Sequence, residues 1–98
     1  MTYRFHPGAE AEYLEAIIFY ESQRKGLGAA YLVAFENMMV HVVDSPHRYR
    51  IERKPNIRGI SLTKFPYKII FRSVEGNEIQ VLAVSHKKRR PDYWLSRL

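Results

Sequence analysis

The spacing of apolar residues predicts two helices in the first half of the chain. The first helix begins at Pro7, which suits a first helical turn, and ends in a basic turn before Gly26. Its apolar residues recur at helical spacing and are Tyr13, Leu14, Ile17, Ile18 and Tyr20. The second helix begins near Leu27, ends at residues 44–46, and carries on one side Tyr31, Leu32, Phe35, Met38, Met39, Val42 and Val43. The short connection between the helices predicts an antiparallel hairpin.

The sequence predicts strands at residues 2–6, 60–62, 67–73 and 78–85, and apolar and polar residues alternate along the first and third of them. In the strand at 67–73, one face carries Tyr67, Ile69 and Phe71, and the other carries Lys68, Ile70 and Arg72. Residues 75–77 are typical of a turn, which predicts that the last two strands form a hairpin.

The last predicted strand is apolar on both faces. Simple alternation places Ile79, Val81 and Ala83 on one face and Leu82 and Val84 on the other. A strand of this kind is covered on both sides, and the helix hairpin can cover only one of them. We therefore expect the C-terminal turn or a partner chain to cover the second side.

These elements predict an α+β fold that forms one small domain over residues 1–98. An N-terminal strand precedes the antiparallel helix hairpin, which packs on an antiparallel sheet, and a short helical tail ends the chain. The expected core consists of Leu14, Ile17, Phe35, Met39, Ile69, Phe71, Val81 and Ala83.

Composition narrows the class of protein. The 98 residues include no cysteine, which excludes disulfides and thiolate chemistry and suits a reducing cytoplasm. The longest uninterrupted apolar stretch, residues 16–20, is far too short to span a bilayer, and no export signal is visible. The four histidines show no metal-ligand spacing, and no glycine motif for phosphate binding is present. We expect a cytoplasmic protein with no metal, no cofactor and no membrane partner.

Charge is distributed unevenly along the chain. Residues 1–44 carry a net charge of −3, and residues 45–98 carry thirteen of the sixteen cations and a net charge of +9. This asymmetry predicts a directed positive surface that binds phosphate-bearing or acidic partners.

The end of the last strand holds the densest group of candidate residues. His86 is followed directly by Lys87, Lys88, Arg89 and Arg90. Only histidine titrates near neutral pH without special tuning, so His86 is a candidate general acid or base. The alternative is a structural histidine that hydrogen-bonds the backbone or packs on Tyr93. The four cations that follow it predict a binding surface for nucleic acid or an acidic peptide.

Other cations and aromatic residues extend this prediction. Lys68 and Arg72, with Arg58 on a neighbouring strand, form a group able to hold a phosphate. The alternative is that they only form a solvated face of the sheet. The loop at residues 45–55 interleaves an aromatic ring with cations, including Arg48 and Arg50, which suits nucleic-acid contact. In the tail, Tyr93 and Trp94 are candidates for base stacking, although Trp94 and Leu98 have the spacing of residues that pack on the sheet.

The chain resembles the RelE/ParE toxin superfamily over nearly its whole length. The resemblance lies in residues 9–17 with Tyr20, residues 44–46, 58–62 and 65–72, and most strongly in residues 81–86 with Arg89-Arg90-Pro91 and Tyr93-Trp94. It implies the toxin of a bacterial type II toxin–antitoxin pair. The implied partner is a cognate antitoxin. The toxin would contact operator DNA only through this antitoxin.

Two activities occur on this fold, and fold alone does not separate them. RelE-like members cleave messenger RNA in the ribosomal A site, and the resemblance would then make His86, Arg72, Lys68 and Tyr93 the catalytic residues. ParE-like members poison DNA gyrase and need no catalytic group. The turn at residues 65–67, the long helix hairpin and the tail at 91–94 resemble the ParE side more. We therefore favour gyrase poisoning, and a non-toxic nucleic-acid-binding module is the third alternative.

Overall fold

A computed structural model describes residues 2–75 and 77–98 of the chain; Gly76, in the predicted turn, lies outside the described residues. The elements are β1 (Thr2–Phe5), α1 (Pro7–Gln23), α2 (Leu27–Asp44), a 3₁₀ turn (Pro46–Arg48), β2 (Ile51–Arg53), β3 (Ile57–Ser61), β4 (Tyr67–Val74), β5 (Glu78–His86) and a 3₁₀ tail helix (Tyr93–Arg97). Within this part of the chain no helix is long and apolar enough to cross a membrane.

The predicted α+β architecture is confirmed, with corrections to the sheet. Its strand order is β1-β5-β4-β3-β2, and β3 to β5 are antiparallel, as predicted, with the unpredicted β2 antiparallel to β3. Strand β1 instead pairs with β5 in parallel, so the sheet is mixed. Strand β3 begins three residues earlier than predicted, and the predicted basic loop contains β2. The sequence pattern did not predict β2, because an exposed edge strand carries charged residues and these resemble a loop.

Helix α1 is capped by a histidine and faces the sheet with small residues. The Nδ1 atom of His6 accepts a hydrogen bond from the Gly8 N–H at 3.0 Å. Ala9 and Ala16 are buried, which lets the helix approach β5 closely. Leu14 lies about 100° around the helix from Tyr13. Its side chain is 49% exposed, so the prediction that Leu14 belongs to the core is wrong.

The helix hairpin is fastened at the connection between α1 and α2. Gly26 has a φ of 90°, a conformation that favours glycine, and it precedes α2 directly. The Glu21 carboxylate accepts hydrogen bonds from the N–H groups of Gly26 and Gly28, both at 3.0 Å. A Cβ atom on Gly28 would lie 2.8 Å from the carbonyl oxygen of Ile17, so the two helices touch at backbone distance here. The predicted antiparallel hairpin is confirmed.

Strand β5 separates two apolar clusters, as its two-sided sequence predicts. Ile79, Val81 and Val84 pack with the helices, whereas Leu82 and Ala83 pack on the opposite side. Ile70 pairs with Ala83, but the next residue, Phe71, pairs with Val81, so Leu82 is an extra residue in a β-bulge. This extra residue reverses the alternation of the strand beyond it. The placement of Ala83 beside Val81, and of Val84 beside Leu82, was therefore wrong.

The tail covers the second face of the sheet. Trp94 is 4% exposed and packs in the cluster that contains Ile57, Ile70, Leu82 and Ala83. Of the two covers expected for this face, the C-terminal turn or a partner chain, the structure shows the C-terminal turn, although Leu98 remains half exposed.

A tyrosine cluster lies between the helices and the sheet. Tyr31 is fully buried and its ring lies 5.6 Å from the rings of both Tyr20 and Tyr67. Burial raises the pKa of Tyr31, and burial, aided by Glu36, raises the pKa of Tyr13 from 10.0 to about 12. These phenols therefore keep their protons in the folded protein at pH values where the unfolded chain loses them.

The tyrosine cluster predicts loss of stability in alkali. Because the folded-state pKa values are raised, the stabilisation is complete below pH 10 and decreases as the pH rises from about 10 to 12. Urea unfolding at a series of pH values measures this dependence. A Tyr13→Phe variant removes one titrating group and should show a shallower decrease. A free energy of unfolding that stays constant up to pH 12 would contradict the prediction.

Candidate functional site

The end of β5 leads into a short turn that presents cations on a fixed backbone. We call residues 86–91 the basic turn. Its backbone is held by a bond from the Lys87 N–H to the carbonyl oxygen of Pro66 at 2.9 Å, and by one from the Lys88 N–H to His86 Nδ1 at 3.0 Å. In the described part of the chain, the side chains of Lys87, Lys88 and Arg90 form no ion pair or hydrogen bond, and all three residues are exposed. The turn thus has a hydrogen-bonded backbone and carries three exposed cations.

The contacts of His86 in this turn are to the backbone and to Tyr67. Its Nδ1 atom accepts from the Lys88 N–H, so the neutral ring carries its proton on Nε2. Its ring stands edge-on to Tyr67, with centroids 5.1 Å apart, rather than packing on Tyr93. In this arrangement neither ring nitrogen has a free lone pair to accept a proton.

The carboxylate of Glu12 on α1 accepts hydrogen bonds from two side chains of the tail. Its two oxygens accept from Arg97 Nη1 and Nη2, each at 3.0 Å, and the Tyr93 hydroxyl donates to Oε2 at 2.6 Å. Arg89 Nη1 lies 3.7 Å from the same carboxylate, and its guanidinium lies 3.8 Å from the centre of the Tyr93 ring. We call this group, Glu12 with Tyr93, Arg89 and Arg97, the Glu12 clamp.

Two members of the Glu12 clamp, Tyr93 and Arg97, have raised pKa values. Burial, together with the hydrogen bond to Glu12, raises the pKa of Tyr93 to about 12, so its hydroxyl stays protonated. The hydrogen bond to Glu12 also raises the pKa of Arg97. Neither Glu12 nor Arg97 was predicted as a site residue, because the two residues are far apart in the chain and no local pattern links them.

A cleft of about 380 Å³ lies on the tail side of the sheet beside the basic turn. Trp94 and Ile70 form the apolar part of its lining. The charged part consists of the cations Lys68, Lys87 and Arg89 and the acids Glu52 and Asp92. Two ion pairs neutralise part of this charge: Lys68 Nζ to Glu52 Oε1 at 3.1 Å, and Arg53 Nη2 to Asp92 Oδ2 at 2.8 Å.

The three cations expected to hold a phosphate together do not converge. Lys68 and Arg72 share a face of β4 but lie four residues apart, about 13 Å along the strand. Arg58 pairs with Phe71 and therefore points to the opposite face, where its guanidinium donates to the Tyr49 carbonyl oxygen at 2.7 Å. Arg72 donates to Gln80 Oε1 at 3.0 Å. The structure therefore does not bring these three cations together.

The remaining predicted cations lie in the segment before β2. Arg48 and Arg50 are exposed, and the Arg48 guanidinium lies 5.9 Å from the centre of the Tyr49 ring. The Arg53–Asp92 ion pair brings the end of this segment to the start of the tail helix. Exposed cations of the loop and of the basic turn are thus available to a partner.

Comparison with known proteins identifies the fold. No protein-family model matches the sequence, and no curated protein matches it significantly. A chain of the chromosomal ParDE toxin–antitoxin system from P. aeruginosa is similar in structure, with a TM-score of 0.63 and 21% identity over 88% of this chain and 95% of that chain. The isolated E. coli RelE toxin is similar with a TM-score of 0.66 and 18% identity over 98% of this chain and 94% of that chain. The chain therefore has the RelE/ParE toxin fold.

Proposed function

We propose that this protein is the toxin of a type II toxin–antitoxin pair and that it inhibits growth by binding DNA gyrase. The fold shared with the ParDE and RelE structures supports the toxin role. The basic turn supports a mechanism of binding, because Lys87, Lys88 and Arg90 are free to contact a charged partner. The protein acts in the cytoplasm and is neutralised by a cognate antitoxin. It contacts operator DNA only through this antitoxin.

One observation carries the choice of gyrase: both proton carriers required for RNA cleavage are engaged elsewhere. A ribonuclease needs a group that accepts the 2′-hydroxyl proton and another that protonates the leaving oxygen. His86 Nδ1 is bonded to the Lys88 N–H, and the Tyr93 hydroxyl is bonded to Glu12 of α1. A protein that blocks its target by binding needs neither group.

Ribosome-dependent cleavage of messenger RNA is the second candidate. The observation that favours it is the cleft, where Lys68, Lys87 and Arg89 stand beside Trp94. Cations next to an aromatic ring suit a phosphate and a stacked base. For this activity His86 would have to exchange its bond with Lys88 for one with the substrate.

Expression of the gene alone in a bacterial host tests the toxin role. We expect growth arrest after induction and recovery when the neighbouring reading frame, the expected antitoxin gene, is expressed with it. The two proteins should then purify together, in a complex whose rate of formation falls with salt because surface charges steer the encounter. Normal growth on induction of the lone gene would instead indicate the non-toxic nucleic-acid-binding module.

A further inference from the structure

Strand β5 has an edge that no other strand covers. The parallel strand β1 pairs only with residues 78–81, whereas β5 continues to His86. Along residues 82–86, therefore, one side of β5 has no neighbouring strand among the described residues. Backbone groups at such an edge bind an extended segment unless something covers them, and here Leu82, Ala83 and Val84 are at most 1% exposed.

Side chains of the Glu12 clamp occupy the places that a neighbouring strand would fill. Glu12 Oε1 accepts from the Val84 N–H at 2.9 Å, and Arg97 Nη1 donates to the Leu82 carbonyl oxygen at 3.0 Å. One carboxylate and one guanidinium thus stand in for the carbonyl and the amide of a missing strand. Gly8 makes room for this arrangement, since a Cβ atom there would lie 2.7 Å from Arg97 Cζ.

The surroundings of this edge suit an extended acidic segment. On the helix side, next to Val84 and His86, a hollow of about 220 Å³ is lined by Phe19 and Ala16 and can take an apolar side chain. Arg89 and Arg97 supply positive charge, and Glu15 in the hollow is the other acid besides Glu12. A segment that alternates apolar and acidic residues would put a carboxylate where that of Glu12 now lies.

We propose that the edge of β5 at residues 82–86 is the docking site for an extended acidic segment of a partner protein and that the Glu12 clamp is its closed latch. Docking replaces Glu12 and Arg97 by backbone hydrogen bonds, and a carboxylate of the segment pairs with the released guanidinium. The antitoxin is the natural source of such a segment, a point that rests on the proposed function. A strand edge matches a peptide backbone rather than RNA, because it presents alternating N–H and C=O groups.

Two variants open the latch by different means. Glu12→Ala removes the carboxylate, and Gly8→Ala displaces the flexible end of Arg97 without changing any charge. We expect the Val84 amide to exchange its hydrogen at least about tenfold faster in both variants, because its side-chain acceptor is lost or loosened. Glu10→Ala, an exposed acid in the first turn of the same helix, is the matched control and should leave the exchange unchanged.

Peptide binding tests the docking site without any assay of toxicity, so failure here and failure of the proposed function are distinguishable. The probe is a blocked heptapeptide of alternating glutamate and valine, with a lysine–valine peptide as control. In NMR titrations we expect the acidic peptide to shift the amides of residues 82–86, and to bind about tenfold more tightly once the latch is open. If Glu12→Ala does not fold, Gly8→Ala carries the test.

Three results would overturn the proposal. The first is an unchanged exchange rate of Val84 in the variant that folds. The second is equal binding of the acidic and basic peptides, or shifts that lie away from β5. The third is tighter binding of an oligouridylate than of the acidic peptide at the same edge, which would make it a nucleic-acid site.

Discussion

Truncation of Phe71 to alanine is expected to lower the free energy of unfolding by about 3–5 kcal/mol. Phe71 is fully buried in β4, paired with Val81 across the sheet, and its ring lies 6.0 Å from that of Tyr49. Removal of the ring leaves a cavity between the sheet and its neighbours, because close-packed surroundings relax only in part. Urea unfolding of both proteins, followed by circular dichroism, measures the difference.

Phe19→Ala is the matched control for this truncation. The Phe19 side chain is 53% exposed on α1, so its loss should cost less than about 1 kcal/mol. If Phe71→Ala also cost less than about 1 kcal/mol, the assignment of the face of β4 that packs on the helices would be wrong. An unchanged dependence on urea concentration would show that both variants unfold from a similarly compact state.

Charge reversal in the basic turn is expected to abolish growth arrest. Replacing Lys87 and Lys88 together by glutamate puts like charges against an acidic partner surface, which costs several kcal/mol and loosens binding by about 100-fold or more. The fold should survive, because both side chains are exposed and only their backbone groups are bonded within the protein. Colony counts after induction, with circular dichroism of the purified variants, measure both effects.

His86→Ala separates the two candidate targets in the same assay. For a gyrase ligand the variant keeps most of its toxicity, because the cations of the basic turn remain and the Lys87 N–H still bonds the Pro66 carbonyl oxygen. For a ribonuclease that uses His86 as acid or base, the rate falls by about 10²–10⁴-fold. Loss of toxicity in a folded His86→Ala variant would therefore contradict the gyrase proposal.

Much of the fold is predictable because it follows from local pattern. Pro7, the glycines of the connection and the apolar sides of the helices define the hairpin, and the alternation along β4 identifies its two faces correctly. The apolar character of both faces of β5 predicts its double coverage, which the helices and Trp94 supply. Each of these signals lies within one element and needs no knowledge of distant contacts.

The errors arise where tertiary contacts decide between local alternatives. Helix α1 turns its alanines to the sheet, so Leu14 faces outward although it is larger and more apolar. One extra residue at Leu82 reverses the alternation of β5, and the sequence carries no glycine there to mark the bulge. The parallel pairing of β1 joins residues 2–5 to residues 78–81, a contact between distant segments that no local pattern records.

One part of the candidate site can likewise be predicted from the sequence, and another part cannot. The basic turn is visible in the sequence because its cations are consecutive. The Glu12 clamp is not, since its groups come from α1, the basic turn and the tail helix and meet only when the chain folds. The separation of Lys68, Arg72 and Arg58 likewise depends on strand register, which one sequence does not determine.

The most direct test of the proposed mechanism is to add the purified protein to DNA gyrase and, separately, to translating ribosomes. The account predicts inhibition of supercoiling, with wild-type protein and His86→Ala active at similar concentrations and the doubly charge-reversed variant inactive. It also predicts that messenger RNA in the ribosomal A site stays intact. Cleavage of that messenger with supercoiling unaffected would contradict the account and identify the protein as a ribonuclease.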